Sequence, residues 1–398
     1  MPRLSHRVSV LQESAIRKLD LTVMQQRDVR FHRLNIGQPD VPTPEPLLDA
    51  IGRWRPSVIA YGPASGLPEL REAAAGYHGR WSPGLGWTDV AVTTGGSEAL
   101  LFAFTAVCDP GDEILAPEPY YTNYNGFATV AGARIVPIRT HLDDGFALPS
   151  DDVLDRYVTP KTRAIVFSNP GNPTGAVYGR AELERLFAWA ARRDLFIIAD
   201  EVYRRVWFNR PPTSALELDE FRDNVIVIDS LSKTYSACGL RLGFLISRNA
   251  TVMEKVERLG QARLGPQPLA QAVGLAALAL PESYYDEIRG VYRGRVRTLV
   301  DAIEATPGMS TSNPAGAFYC MVDLPVDDAD RFARYLVTDF RSDGESVVVA
   351  PGGGFYADST AGKTQIRLAA VQGGAGLVRA MEILGEALEA YPHAQLDG

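Results

Sequence analysis

The sequence predicts an α/β protein in which a large domain, built on a mainly parallel sheet flanked by helices, is joined to a smaller α+β domain. Three observations lead there. Between about Asp89 and Ser247, short apolar runs alternate with stretches whose apolar residues recur at helical spacing. That alternation is how a chain builds a layered parallel sheet, because each return to a parallel neighbour needs a crossover element. Beyond Tyr284 the alternation gives way to one long polar-faced helix followed by separate strands, which reads as a second core. Finally, the residues just past several strands are polar or charged, and the carboxyl ends of the strands are where open α/β sheets bind ligands.

In chain order, strands are expected at Val90 to Thr93, Glu113 to Ala116, Arg134 to Ile138, Ala164 to Ser168, Phe196 to Asp200, Val225 to Asp229 and Phe244 to Ser247. Glu182 to Arg193 has the apolar spacing of a crossover helix, and further helices are expected near Gln267 to Ala279 and from Tyr284 to about Ala305. The second domain should carry strands at Ala317 to Val322, Val347 to Ala350 and Gln365 to Ala369. The proline-rich segment before Ser57 (GQPDVPTPEP) is expected to run beside that second domain before the chain enters the sheet. The resulting division is an N-terminal segment over 1–50 that packs with the small domain, a large domain over 51–290 and a small C-terminal domain over 291–398.

Length and composition narrow the function classes. At 398 residues the chain can bury a large core. A formal net charge of -8, with basic residues interleaved among acidic ones, argues against nucleic acid as a partner. Cys108, Cys238 and Cys320 lie far apart with no CxxC and no neighbouring histidine pair, so neither a disulfide framework nor a metal site is indicated, and a reducing cytoplasm fits. The N-terminal stretch lacks a continuous apolar core, and no apolar run reaches the roughly 20 residues of a membrane span, so a membrane association is not expected.

The most telling motif is DSLSKTYSACGLRLG, which sets Lys233 between Ser230 and Arg241. A primary amine is the one side-chain group that forms an exchangeable imine with an aldehyde, so the motif points to pyridoxal phosphate carried on Lys233 as a Schiff base, with Ser230 and Arg241 on its phosphate. Alone, Lys233 reads as an exposed loop lysine after the strand VIVID. Other strand ends supply the rest of such a site. TTGGSEALLFAF places Gly95, Gly96 and Ser97 before a helix, where free amides can hold a phosphate, although a serine-capped glycine turn is also an ordinary helix start. NPGNPTG is a rigid loop whose Asn172 can donate to a cofactor ring oxygen. Asp200 ends the apolar strand FIIAD, where a carboxylate is costly unless paired, and a protonated pyridine nitrogen is a suitable partner. Tyr203 can join Asn172 at the ring oxygen. Tyr121 is placed to stack on the ring, with Tyr120 and Tyr124 competing for that position. Arg367 interrupts the strand QIRLAAV, and a guanidinium there can grip an α-carboxylate with two parallel hydrogen bonds. His6, His32, His78, His141 and His393 share no spacing and read as surface or structural residues.

With these residues together, the chain resembles the class I/II aminotransferases of PLP fold type I, the aspartate aminotransferase-like group. The resemblance runs through NIGQPD, YGPASGLPELREA, GGSEAL, DPGDEI, NPGNPTG, DEVY, SLSKTYSACGLRLG, GAFY, APGGGF and QIRLAA, in the family's order and over nearly the whole chain. It implies that Gly37, Asn172 and Arg367 bind the substrate and that Lys233, Asp200 and Tyr203 form the catalytic centre. It also implies a homodimer, in which Tyr61 reaches the partner's cofactor phosphate. Two features depart from the common pattern. Tyr121 stands where many members carry tryptophan, and no arginine aligns securely with the one that selects dicarboxylic substrates, Arg263 lying only near that region. The activity implied is transfer of an amino group between an α-amino acid and a 2-oxo acid. The alternative is β- or γ-elimination, replacement or cyclisation, as in aminocyclopropane-carboxylate synthases acting on an S-adenosylmethionine-type substrate. A non-catalytic regulator on this fold would add an N-terminal DNA-binding domain, for which the some 30 residues before NIGQPD leave little room.

Overall fold

The computed structural model describes residues 2–9, 11 and 19–395. Its first strand, β1 (Arg30–Arg33), stands apart from the central sheet. That sheet has seven strands: β2 (Val90–Thr93), β3 (Glu113–Glu118), β4 (Arg134–Arg139), β5 (Thr162–Ser168), β6 (Phe196–Asp200), β7 (Val225–Ser230) and β8 (Gly243–Ile246). They lie in the order β2-β8-β7-β6-β5-β3-β4, and all neighbours run parallel except β8, which is antiparallel to both β2 and β7. Every strand expected from the apolar runs is present, most of them a residue or two longer than the apolar run itself.

Because successive side chains on a strand point to opposite faces, each inner strand feeds two cores. On one face Ile197, Ala199, Val225 and Val227 pack under the helices Pro68–His78, Arg180–Ala191 and Pro268–Leu278. On the other, Ile198, Ile226 and Ile228 pack under Gly95–Val107, Asn123–Ala131 and Ala250–Arg263. Each fully buried aliphatic side chain contributes about 1.5–3 kcal/mol. The same alternation sends Asp200 and Ser230 to the second face and Asp229 to the first.

The second core is organised by a four-stranded antiparallel sheet of β9 (Ser310–Thr311), β10 (Tyr319–Asp323), β12 (Ala350–Pro351) and β13 (Gln365–Ala369), in the order β12-β13-β10-β9. β1 pairs in parallel with β11 (Glu345–Val348), so Arg30–Arg33 runs beside this core, whereas the helix Glu45–Arg53, expected with it, buries Leu47 in the core of the central sheet. The helices Glu282–Ala305, Ala329–Thr338 and Gly374–Ala390 cover it. Glu282–Ala305 joins the two cores without a break: Tyr285 is buried in the first, while Ile288, Tyr292 and Val296 are buried in the second.

Two strands differ from the sequence expectation. The strand expected from Ala317 starts at Tyr319, because Ala317 adopts a left-handed conformation (φ 55°) and donates its N–H to Val206 instead of a sheet neighbour. The single strand expected over Val347 to Ala350 is two, since β11 serves β1 and β12 serves β13.

Gly243 marks a tight contact between the sheet and the turn that follows β2. A Cβ there would fall 2.6 Å from the backbone carbon of Gly95 and 2.9 Å from the Asp229 carbonyl oxygen. Gly243→Ala should therefore lower the thermal midpoint, at a cost of about 1–3 kcal/mol. Gly52→Ala is the control: its Cβ meets nothing within 4 Å on the helix Glu45–Arg53, so calorimetry should show an unchanged or raised midpoint.

Candidate active site

A cavity of about 270 Å³ opens at the carboxyl ends of β5, β6 and β7, where the central sheet meets the smaller core. Gly37, Gly96, Ser97, Tyr121, Asn172, Asp200, Tyr203, Ser230, Lys233, Arg241 and Arg367 all line it. Eleven residues drawn from separate motifs thus share one cavity. Gly95 lies behind them against Arg241: a Cβ on Gly95 would sit 2.6 Å from an Arg241 guanidinium nitrogen, and its φ of +77° suits glycine. Tyr61 is not brought in within this chain. It is 85% exposed, in a run of exposed residues over 55–61.

Lys233 sits on the four-residue helix Leu231–Thr234, which leaves β7 directly. The Ser230 hydroxyl caps that turn by accepting from the Ser232 N–H at 3.1 Å, and Lys233 Nζ donates to the Gly37 carbonyl at 2.7 Å. Arg241 holds a left-handed backbone (φ 56°), a strained conformation for a non-glycine residue of the kind that binding sites retain. One of its guanidinium nitrogens donates to the Cys238 carbonyl at 3.0 Å.

Asp200 is buried at the end of β6. Burial pushes its carboxyl up to about 6, against the lowering effects of the Tyr124 hydroxyl and the Val202 N–H, which donate to it at 2.9 and 3.4 Å. Tyr124 is a functional residue that sequence reasoning weighed only as a rival ring for stacking. It lies on the helix Asn123–Ala131, three residues beyond Tyr121, with its hydroxyl turned into the sheet. Tyr121 itself accepts at its hydroxyl from the Asn123 amide at 2.8 Å, and burial raises it to about 12.

Tyr319 is the second residue missed, although its GAFY motif stood out. Its hydroxyl lies 2.7 Å from that of Tyr203, and a Cβ on Gly37 would come within 1.8 Å of it. Gly37 is therefore glycine because Tyr319 occupies the space above it. Burial, with Tyr319 second, holds Tyr203 well above the ordinary tyrosine value.

Arg367 projects from β13, fully buried. One nitrogen donates to Asn172 Oδ1 at 3.0 Å and another to the Asn35 carbonyl at 2.5 Å, while Nε has no partner. The guanidinium lies 4.4 Å from the Tyr319 ring centre and 4.9 Å from that of Phe355. Burial lowers its proton affinity, and the neighbouring tyrosines oppose that. Since Asn172 accepts from Arg367, its amide nitrogen is the group left to donate into the cavity. Arg263 is engaged elsewhere. It is ion-paired with Glu98 and donates to the Ala64 carbonyl at 2.8 Å.

The His/Cys/Asp/Glu side chains of the described residues form no cluster suited to a metal ion. No helix among the described residues is long and apolar enough to cross a membrane.

The chain matches the model of the family "Aminotransferase class I and II" over residues 31–373, and it belongs to that family. It is 31% identical to the aspartate/prephenate aminotransferase of Thermus thermophilus over 90% of this chain and 92% of that one. It is 32% identical to the aspartate aminotransferase of Thermotoga maritima over 81% and 83% of the two chains. Among solved structures, an alanine aminotransferase from Pyrococcus furiosus superposes with a TM-score of 0.89 at 31% identity, covering 98% of this chain and all of that one. The Thermus thermophilus aspartate aminotransferase with maleate superposes at 0.88 and 29% identity, over 97% of this chain. The fold is the aminotransferase fold, and the chain is a transaminase; nothing in these relatives favours the elimination or cyclisation chemistry weighed above.

The Tyr124 contact can be tested directly. Tyr124→Phe removes a donor from the ionised Asp200 carboxylate, so that carboxyl should titrate about one pH unit higher, upward from about 6. Carbon-13 NMR of aspartate-labelled protein checks it.

Proposed function

We propose that this transaminase works with pyridoxal phosphate, exchanging an amino group between an α-amino acid and a 2-oxo acid. The observation that carries the proposal is the convergence of Lys233, Asp200, Asn172 and Arg367 on one cavity. The chemistry of the donor set fits the cofactor. Lys233 offers the primary amine, Arg241 with Ser230 and the amides at Gly96 and Ser97 offers a phosphate cradle, Asp200 offers a carboxylate for a pyridine nitrogen, and Asn172 and Tyr203 offer donors for a ring oxygen. The close approach of Arg241 to Gly95 supports the cradle, because a side chain at Gly95 would displace the guanidinium.

When bound, the cofactor supplies an electron sink that makes the substrate α-proton acidic. The protein's own groups do the rest. Arg367, with its unpartnered Nε and a guanidinium already oriented by Asn172 and Asn35, takes the substrate α-carboxylate and sets the α-carbon in place. Lys233 Nζ, near the Gly37 carbonyl, is placed to take the α-proton and return it as a general acid and base. Tyr203, held by Tyr319, keeps its proton at any working pH and so remains a donor. Asp200 is the ionised partner for a cation at the base of the site, secured by Tyr124.

Relatives named for aspartate, prephenate and alanine support an amino acid donor without fixing its side chain. Since Arg263 is paired with Glu98, it is not the group that would read a second carboxylate. We further assign a homodimer in which Tyr61 completes the partner's phosphate site. The exposed apolar run Val58, Ile59 and Tyr61 supports it, being the kind of surface a second copy would cover. The cytoplasm is the compartment we assign, in keeping with the free thiols of Cys108, Cys238 and Cys320.

Lys233→Ala should abolish both turnover and the visible absorbance of lysine-bound cofactor, and retention of either would overturn the assignment. Amino acids mixed with the enzyme in the absence of oxo acid should convert the cofactor to its amine form and yield one oxo acid per site. Persistent absorbance with release of a leaving group would speak for elimination instead. Shared sites predict complementation: Lys233→Ala and Tyr61→Ala, each inactive alone, should regain roughly a quarter of wild-type activity after co-refolding, because each hybrid dimer keeps one complete site.

A further inference from the structure

Behind the cavity, on the opposite face of the central sheet, lies a polar cluster around the buried His78 and Arg204 that transamination as described leaves unused. Asp229 is at its centre. Asp229 follows Ile228, which pairs with Asp200 on the neighbouring strand, so the two aspartates sit at adjacent strand ends but on opposite faces. Asp229 Oδ1 accepts from the Ser230 N–H at 2.7 Å, and its Oδ2 lies 3.4 Å from Nε2 of the fully buried His78.

The tautomer of His78 follows from its other neighbour. An Arg204 guanidinium nitrogen lies 2.8 Å from His78 Nδ1, and a guanidinium has no lone pair to offer, so Nδ1 accepts. Burial, with Arg204 second, keeps the imidazole neutral, which leaves its single proton on Nε2, the nitrogen near Asp229. That Nε2 makes no hydrogen bond, so its contact with Asp229 is one of proximity at 3.4 Å. Arg204 is anchored in turn: it stacks 3.8 Å over Trp81, pairs with Glu201 at 3.3 Å, and Glu201 accepts from Ser214 and the Ala215 N–H.

We propose that Asp229 is a positioning residue for Asp200, a second carboxylate held behind the first by the Ser230 N–H and set beside an Arg204–His78 relay, whose negative charge strengthens the hold of Asp200 on a protonated ring nitrogen. The proposal rests on the reading that Asp200 faces that nitrogen. The physics is repulsion between like charges at neighbouring strand ends, across a sheet of low dielectric: a second negative charge raises the proton affinity of Asp200 and of any cation shared with it. Asp229 does act on Asp200 in this direction, and Lys233 acts in the other. The remaining groups around Asp229 are Glu201, Arg204 and Arg205 beyond β6, Tyr77 on the helix that carries His78, Tyr235 just past Lys233, and Asp200 itself. Burial outweighs the two arginines, so the Asp229 carboxyl titrates at about 6 and carries its charge above that pH.

Asp229→Asn separates charge from shape, because the amide retains an oxygen for the Ser230 N–H. In the full-length, cofactor-free protein the Asp200 carboxyl should titrate lower by roughly half a pH unit, read by carbon-13 NMR. In the holoenzyme kcat should fall about 3–10-fold with KM within about twofold, and the titration of the bound cofactor's absorbance should move. An unmoved Asp200 titration overturns the proposal even if activity is lost, since that loss would be structural. Should the variant not fold, nitrogen-15 spectra of wild-type His78 decide: Nδ1 as acceptor and Nε2 protonated at pH 7 supports the relay, and the reverse tautomer or a doubly protonated ring overturns it. Failure of the aminotransferase reading would look different, as a wild-type protein that takes up no cofactor.

Discussion

A carboxylate buried at the end of an apolar strand is the constraint around which this structure is arranged. β6 is closed to solvent along most of its length, and it ends in Asp200. A charge at that depth survives only with partners, since its desolvation is worth several kcal/mol. The Tyr124 hydroxyl is one partner, the Val202 N–H another, and Lys233 supplies longer-range compensation. The site's chemical capacity comes from that arrangement more than from any single group.

The same logic organises the boundary between the two cores. Arg367 belongs by sequence to the smaller one, yet its hydrogen bonds run to Asn172 from the large sheet and to Asn35 from the N-terminal segment. Tyr319, also from the smaller core, closes over Gly37 and meets Tyr203. Three separated stretches of chain therefore lock into one another at the cavity. The helix Glu282–Ala305 carries the linkage mechanically, buried in the first core at Tyr285 and in the second from Ile288 onward.

Much of this was legible in the sequence, and the physical reason is local. The strands of the central sheet announce themselves through runs of Val, Ile and Ala because parallel strands are buried on both faces. Lys233, Asp200 and Asn172 announce themselves because each interrupts or follows such a run with a group that would be costly there without a purpose. Tyr124 and Tyr319 were less legible. A tyrosine suits a core as readily as a site, and nothing in the order YYTNY says that the fifth residue turns its hydroxyl to Asp200 while the second lines the cavity. His78 read as a structural residue, and no spacing relates it to Arg204 or Asp229, which lie more than a hundred residues away. The split of Val347 to Ala350 into two strands was likewise invisible, because a continuous apolar run does not reveal that its halves have different partners.

The sequence by itself determined the fold class, the family, and the residues able to form an imine, hold a phosphate and grip a carboxylate, because those capacities belong to residue types in fixed local order. Tertiary structure decided which of those groups meet and in what electrical state. Proton affinity, hydrogen-bond direction and tautomer depend on burial and on neighbours brought in from distant segments: Tyr124 at Asp200, Tyr319 above Gly37, Arg204 at His78. Local order can name a carboxylate, but only the folded chain sets the field in which it works.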